Sequence, residues 1–230
     1  MQEYLPHFLT VLTMIKVENI EKSYGNERVL RGVSLNIEDG EFVSIMGESG
    51  SGKSTLLSII AGFLLPDAGE VLWDGENIHN FSESKMSDLR CTSLGFVFQS
   101  YKLIPTLNIR DNILLPTILG RRVSKATYEY LDELTNGLSL TELLDKYPDQ
   151  LSGGQCQRVA IVRALLYKPR VLIMDEPTGA LDSEMEEKVM DLITEVNKKN
   201  KTTIIQVTHS QRVAQYATRI IHLKDGEICL

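Results

Sequence analysis

The sequence predicts an α/β fold with a helical insert. Three observations carry that prediction. A buried strand, a glycine-rich loop and a helix follow one another across residues 41–61, and strands alternate with helices again from residue 171 onward. Between them, from about 100 to 163, lie helical patterns and several prolines but no convincing run of strands.

The elements read off in order. Ile15–Glu21 alternates as a strand, Tyr24-Gly25-Asn26 marks a turn, and Val29–Ile37 is the next strand. Asp39-Gly40 turns into Glu41–Met46, whose Phe42, Val43, Ile45 and Met46 suit a buried strand. After the loop Gly47–Gly52, a helical pattern with Leu56, Leu57, Ile59 and Ile60 runs to Ala61. Leu94–Phe98 is a further strand, and the insert holds helical stretches at Lys125–Asn136, Thr141–Lys146 and Gly154–Tyr167. Val171–Met174 is a second buried strand. A helix starts at Asp182 or Ser183, with Ser183-x-x-Glu186 as its capping box and Met185, Val189, Leu192, Ile193 and Val196 on one face. Its basic end, Lys198 and Lys199, suits the helix dipole. Thr202–Val207 is a strand, and Arg219–Leu223 with Glu227–Leu230 forms a hairpin around Asp225-Gly226.

Composition excludes several classes. The 230 residues are 43% hydrophobic and 24% charged, enough for a proper core. Lys+Arg 24 against Asp+Glu 31 gives a net charge of −7, which argues against a polybasic nucleic-acid or anionic-lipid binder, although a local patch survives such a total. Disorder, collagen-like repeats and a disulfide scaffold are excluded as well. Cys91, Cys156 and Cys229 are widely spaced and fit reduced thiols, and His7, His79, His209 and His222 show no ligand spacing. Tyr4–Ile15 is too short to span a membrane and lacks a signal peptide's basic start. Within it, Leu5, Phe8, Leu9 and Leu12 fall at amphipathic helical spacing without a basic face.

Gly47-Glu48-Ser49-Gly50-Ser51-Gly52-Lys53-Ser54 matches G-x-x-x-x-G-K-[ST] between a strand and a helix. Such glycines let backbone N–H groups turn inward around phosphate oxygens, and the helix adds its positive end. Lys53 supplies a point charge to the β- and γ-phosphates, and the Ser54 hydroxyl is placed for Mg²⁺. The strand Val171–Met174 ends in Asp175 and Glu176, at the edge where α/β sheets place ligands. Asp175 can hold Mg²⁺ through water, and Glu176 can orient and deprotonate an attacking water. Leu151-Ser152-Gly153-Gly154-Gln155, at another helix start, repeats the anion-binding logic. One nucleotide does not need two phosphate loops in one chain; two copies facing head to tail need both.

These motifs resemble the ATP-binding subunit of ABC transporters over Met14 to about Leu230. The resemblance implies a P-loop NTPase core of ABC ATPase type with an antiparallel β subdomain and a helical subdomain at about 100–163, leaving 1–13 as an extension. The phosphate loop through Thr55 corresponds to Walker A, Val171–Glu176 to Walker B, and Leu151–Gln155 to the family signature. Tyr24 looks like the aromatic that stacks on adenine. Gln99 resembles the glutamine that senses Mg²⁺, γ-phosphate and the membrane partner. Gly179-Ala180-Leu181-Asp182 is similar to the D-loop, and His209 to the switch histidine. Cys156 and Val162 depart from the family pattern, with packing consequences only. Asp175–Asp182 and Gly95–Gln99 look most like the branch serving macrolide export, lipoprotein release and antimicrobial-peptide resistance, and Tyr101–Leu115, with Leu103, Ile104 and Leu107, resembles the region that docks a permease's coupling helix. That branch implies a separate integral-membrane permease, Mg²⁺ and ATP as cofactors, no nucleic acid, and a peripheral place on the cytoplasmic face of a bacterial cell membrane. An importer ATPase or a non-transport relative is the alternative. The distance from Gln99 to Ser152 leaves no room for the long coiled coil of the chromosome-maintenance relatives, and the single ATPase domain differs from the translation factors.

Overall fold

The computed structural model describes residues 13–229, so the amphipathic pattern of residues 5–12 lies outside the described residues. Strand β1 (Thr13–Tyr24) turns through Gly25 and Asn26 into β2 (Glu27–Glu38). Leu30, Val33, Leu35 and Ile37 of β2 are buried, which breaks strict alternation by one residue. Ile20 pairs with Val33 and Glu21 with Arg31, so Gly32 is left over as a bulge at φ 83°, a left-handed conformation that glycine adopts without strain. The bulge keeps Leu30 and Val33 on the same face. With β4 (Ala68–Trp73) and the short β5 (Glu76–Asn77), these strands form an antiparallel sheet in the order β2-β1-β4-β5.

The second sheet carries the site. Between β2 and β4 run β3 (Phe42–Met46) and α1 (Lys53–Ile60). After β5 come α2 (Glu83–Thr92) and β6 (Leu94–Val97). Three helices follow before the next strand: α3 (Ile109–Leu119), α4 (Lys125–Gly137) and α5 (Gly153–Leu165). Only a 3-10 turn at Thr141–Leu143 occupies the stretch expected as a helix over Thr141–Lys146. Then come β7 (Val171–Asp175), α6 (Ser183–Asn200), β8 (Thr203–Thr208), the short α7 (Gln211–Ala214), β9 (Arg219–Lys224) and β10 (Glu227–Cys229). The sheet order is β10-β9-β3-β8-β7-β6, parallel except where β10 pairs antiparallel with β9.

Burial explains the unbroken apolar runs of the central strands. On one face Ile45, Ile173 and Ile205 pack with α1 and the antiparallel sheet; on the other Leu172, Met174 and Ile204 pack with α3 to α6. A parallel strand covered on both faces has no polar side to alternate with. One expected device is corrected. The cap of α6 is Asp182, whose Oδ1 accepts from the Met185 amide at 2.9 Å, and Ser183 is already inside the helix. Glu186 instead accepts from the Thr178 hydroxyl at 3.2 Å and faces Arg212 at 3.5 Å. A carboxylate at the N-cap also meets the positive helix end, which a hydroxyl one residue later does not match.

Candidate functional site

The carboxyl ends of β3, β7 and β8 lie side by side, and each is followed by a residue group that faces one cavity of about 910 Å³. The loop after β3 has a tight constraint at its first residue. A Cβ at Gly47 would sit 2.2 Å from the Leu223 carbonyl oxygen, so the loop approaches β9 more closely than any side chain allows. Ser49, Gly50, Gly52, Ser54 and Thr55 line the cavity. Lys53 is 8% exposed and donates from Nζ to the carbonyls of Gly47 at 2.8 Å and Glu48 at 2.7 Å, so its charge stays inside the loop.

Across the cavity, Ser54 Oγ donates to Asp175 Oδ1 at 3.0 Å. Burial holds the Asp175 carboxyl above its ordinary range, and Glu176 next door pushes the same way; the Ser54 hydroxyl and the Lys53 charge offset them in part. The two oxygens are hard donors. Among the described residues no group of three or more His, Cys, Asp and Glu gathers into a metal cage. A cation here would complete its shell with substrate oxygens and water, the habit of Mg²⁺. The pKa shift has a testable sign. A carboxyl whose folded pKa is raised favours folding below its unfolded pKa, and that contribution is lost as pH rises through the folded value. We expect Asp175→Asn to raise the melting temperature of the ligand-free chain at neutral pH, with the gain over the parent disappearing on acidification; a melting series against pH checks it.

Glu176 follows β7 at φ 48°, a left-handed conformation uncommon for a residue with a side chain and costing on the order of 1 kcal/mol or more. Its amide donates to the Val207 carbonyl at 3.1 Å, which fixes the strained turn against β8. His209, just past β8, donates from Nδ1 to Glu176 Oε1 at 3.0 Å. The carboxylate is nearly covered and the imidazole is open to solvent, so the pair spans the cavity wall. Gln99 also lines the cavity.

Other expected site residues stand apart from the lining. Gly47, Glu48 and Ser51 face a smaller cavity of about 370 Å³ on the β9 side of the loop, together with Cys229. Tyr24, at the end of β1, is 52% exposed with the Lys22 ammonium 5.9 Å from its ring, while Glu27 and Val29 of β2 line the main cavity. Ser152 caps α5: its Oγ accepts from the Gln155 amide at 3.3 Å, and Gln155 Oε1 accepts from the Ser152 amide at 2.8 Å. None of Ser152, Gly153, Gly154 and Gln155 lines the cavity of their own chain. Gly153 and Gly154 instead lie beside Tyr101 and Ala180, both of which do. The carboxylate of Asp182 is taken up as the α6 cap.

Besides Glu27 and Val29, the structure adds to the wall two residues that sequence reasoning passed over. Gln157 is 1% exposed, lines the cavity and has Nε2 without a hydrogen-bond partner. It sits four residues after Gly153 on α5, so the helical repeat was the available signal. Tyr101 reaches the cavity because it and Lys102 both hold positive φ, with their carbonyls gripped by Arg163 at 2.6 and 2.7 Å. Nothing in local sequence announces that clamp.

Known proteins share this arrangement. The family model described as ABC transporter matches residues 30–179. A bacitracin export ATP-binding protein of Halalkalibacterium halodurans is 39% identical over 221 residues, covering 94% of this chain and 87% of the relative. A macrolide export ATP-binding/permease protein of Brucella melitensis is 43% identical over 219 residues, covering 94% of this chain but 34% of that longer protein. A dimeric structure of the ATP-binding cassette MJ0796 in a post-hydrolysis state, bound to ADP and Pi, superposes with a TM-score of 0.87 at 42% identity, covering 94% of this chain and 96% of that one. With its phosphate loop, paired carboxylates and signature helix in one such frame, the chain belongs to the ABC transporter family.

Proposed function

We propose that the chain is the ATP-hydrolysing subunit of an ABC transporter, closing head to tail with a second copy on ATP and driving a separate integral-membrane permease. The observation that carries this is the convergence on one cavity of Lys53, the Ser54–Asp175 pair and the Glu176–His209 pair. The loop amides of Ser49 to Thr55 and the start of α1 receive the phosphates. Lys53 leaves its own carbonyls for the β- and γ-phosphate oxygens. Ser54 and Asp175 would hold Mg²⁺, with Gln99 as the third candidate ligand; when bound, the ion neutralises charge between the β- and γ-phosphates.

Glu176 takes a proton from the attacking water on the carboxylate oxygen that His209 leaves free, and His209 keeps the carboxylate aimed. Ser152, Gly153, Gly154 and Gln155 of the second copy close on the γ-phosphate with the amides and positive end of α5, and Asp182 ends the facing D-loop. Tyr24 stands at the adenine end. Residues 14–230 act as one ATPase unit whose helical subdomain, about 100–163, meets the permease; residues 1–13 are an extension. Relatives that serve bacitracin export, macrolide export and lipoprotein release support export or extraction of a lipoprotein, peptide or drug. Among the described residues no helix is long and apolar enough to cross a membrane. A peripheral place on the cytoplasmic face of a bacterial membrane follows from the permease partnership.

The experiment is sedimentation of the purified chain beside its ATPase rate at several concentrations. We expect a monomer without nucleotide, a dimer with Mg²⁺ and ATP, and a rate that climbs more steeply than enzyme concentration. A monomer at all nucleotide levels, with a strictly proportional rate, contradicts the reading.

A further inference from the structure

The ends of α3 and α5 and the start of α4 border a further cavity of about 220 Å³, remote from the phosphate loop in sequence and lined by Thr117, Arg122, Ala126, Thr127, Tyr130 and Lys168 among others. Three features distinguish it. First, no carboxylate lines it although the chain carries a net charge of −7, while two cations, Arg122 and Lys168, do. Glu133 and Glu195 line the adjoining cavity, which shares Tyr130 and Lys168 with this one. Second, Thr117 is 1% exposed and its Oγ1 has no hydrogen-bond partner among the described residues, an unusual state for a buried hydroxyl. Third, the cavity sits at the start of the 13-residue α4. There Ser124 caps the Thr127 amide, and the Lys125 and Ala126 amides, as the first of the helix, have no intrahelical acceptor.

Neither cation is held in an ion pair among the described residues. Lys168 makes no ion pair among the described residues and rests over the Tyr130 ring at 4.6 Å. Arg122 spends one N–H on the Thr92 carbonyl at 3.3 Å. Burial pushes the Tyr130 phenol up to about 12, with Glu133 and Glu195 adding to the shift, so it stays a neutral hydroxyl.

We infer that this cavity is an anion site for a phosphate group, distinct from the ATP site. A tetrahedral oxyanion offers an oxygen to the helix start, one to the Thr117 hydroxyl and others to the guanidinium and ammonium, which a planar carboxylate cannot do at once. The phosphate comes either from a soluble molecule or from a lipid headgroup. Beside the cavity in sequence, Ile118, Leu119 and Val123 are 50%, 63% and 40% exposed, an apolar neighbourhood that suits the second source.

The test uses the full chain, ¹⁵N-labelled and saturated with ADP so that the phosphate loop is filled. Inorganic phosphate is titrated while the amides of Lys125, Ala126 and Thr127 are followed by NMR. In parallel, flotation compares vesicles of phosphatidylcholine with and without phosphatidylglycerol. Thr117→Val and the double variant Arg122→Gln/Lys168→Gln serve as controls, with basal ATPase activity showing that they fold. Saturable shifts that weaken about tenfold or more in the double variant, and less in Thr117→Val, support a soluble phosphate ligand. Phosphatidylglycerol-dependent flotation lost in the double variant assigns the site to a headgroup. Shifts that the double variant retains, or neither shifts nor variant-sensitive flotation, overturn the inference.

Discussion

Glu176→Gln leaves ATP bound and lowers turnover on the order of 10²-fold or more. The size of the effect follows from where the carboxylate sits. It lies one residue beyond Asp175, held in a left-handed turn by the Val207 carbonyl, with one oxygen bonded to His209 Nδ1. An amide has nearly the same shape and still accepts from His209 through its oxygen. It cannot take a proton from water. Because the proposed nucleotide contacts belong to the loop and to Lys53, affinity for ATP is expected to stay unchanged and the variant to accumulate as the ATP-bound dimer. Single-turnover kinetics beside nucleotide binding separates the two effects. Normal hydrolysis by the variant would remove Glu176 from the mechanism.

Lys53→Ala acts one step earlier. The ammonium is held within the loop by two carbonyls rather than by a carboxylate, so it is free to move to a phosphate without breaking an ion pair. Its removal takes away the one buried positive charge of the loop and lowers ATP affinity by an amount typical of a lost charge-assisted contact, about tenfold or more. Hydrolysis falls with it. Isothermal titration with ATP checks the affinity, and unfolding by denaturant checks that the loop remains intact.

Much of this was legible in the sequence because the motifs are local. A phosphate loop needs a strand before it and a helix after it, and residues 42–60 carry both signals in one window. The central strands were equally plain: burial on both faces leaves an apolar run with nothing polar in it. The region from 62 to 93 was silent for physical reasons. Helix α2 buries only Met86, so it shows no apolar stripe, and β4 buries Val71 and Trp73 in a strand of six residues. The α6 cap went one residue astray because Asp182-Ser183 offers two capping side chains in succession, and only the helix axis decides between them. Leu140, Leu143 and Leu144 fall at helical spacing, yet only a 3-10 turn forms at Thr141–Leu143. At the site, sequence order named Gln99, Glu176 and His209 but could not foresee that Gln157 and Tyr101 complete the wall. Those two depend on the packing of α5 against the segment after Gln99, a contact between residues more than fifty positions apart.

In the proposed dimer each ATP site is assembled from two copies, the phosphate loop of one and Ser152–Gln155 of the other. Mixing two inactive variants tests this. Lys53→Ala disables the phosphate loop. Gly153→Asp places a carboxylate where the signature would meet the γ-phosphate; a first-turn acid suits α5, and the new Cβ lies 3.0 Å from the free end of Tyr101, a contact the side chain can relieve. Each variant alone hydrolyses ATP at a small fraction of the parent rate. In a mixed dimer, the intact phosphate loop of the Gly153→Asp copy faces the intact signature of the Lys53→Ala copy. ATPase activity is therefore expected to reappear when the two are combined. A mixture as inactive as its separate components, while sedimentation shows that mixed dimers form, would contradict it.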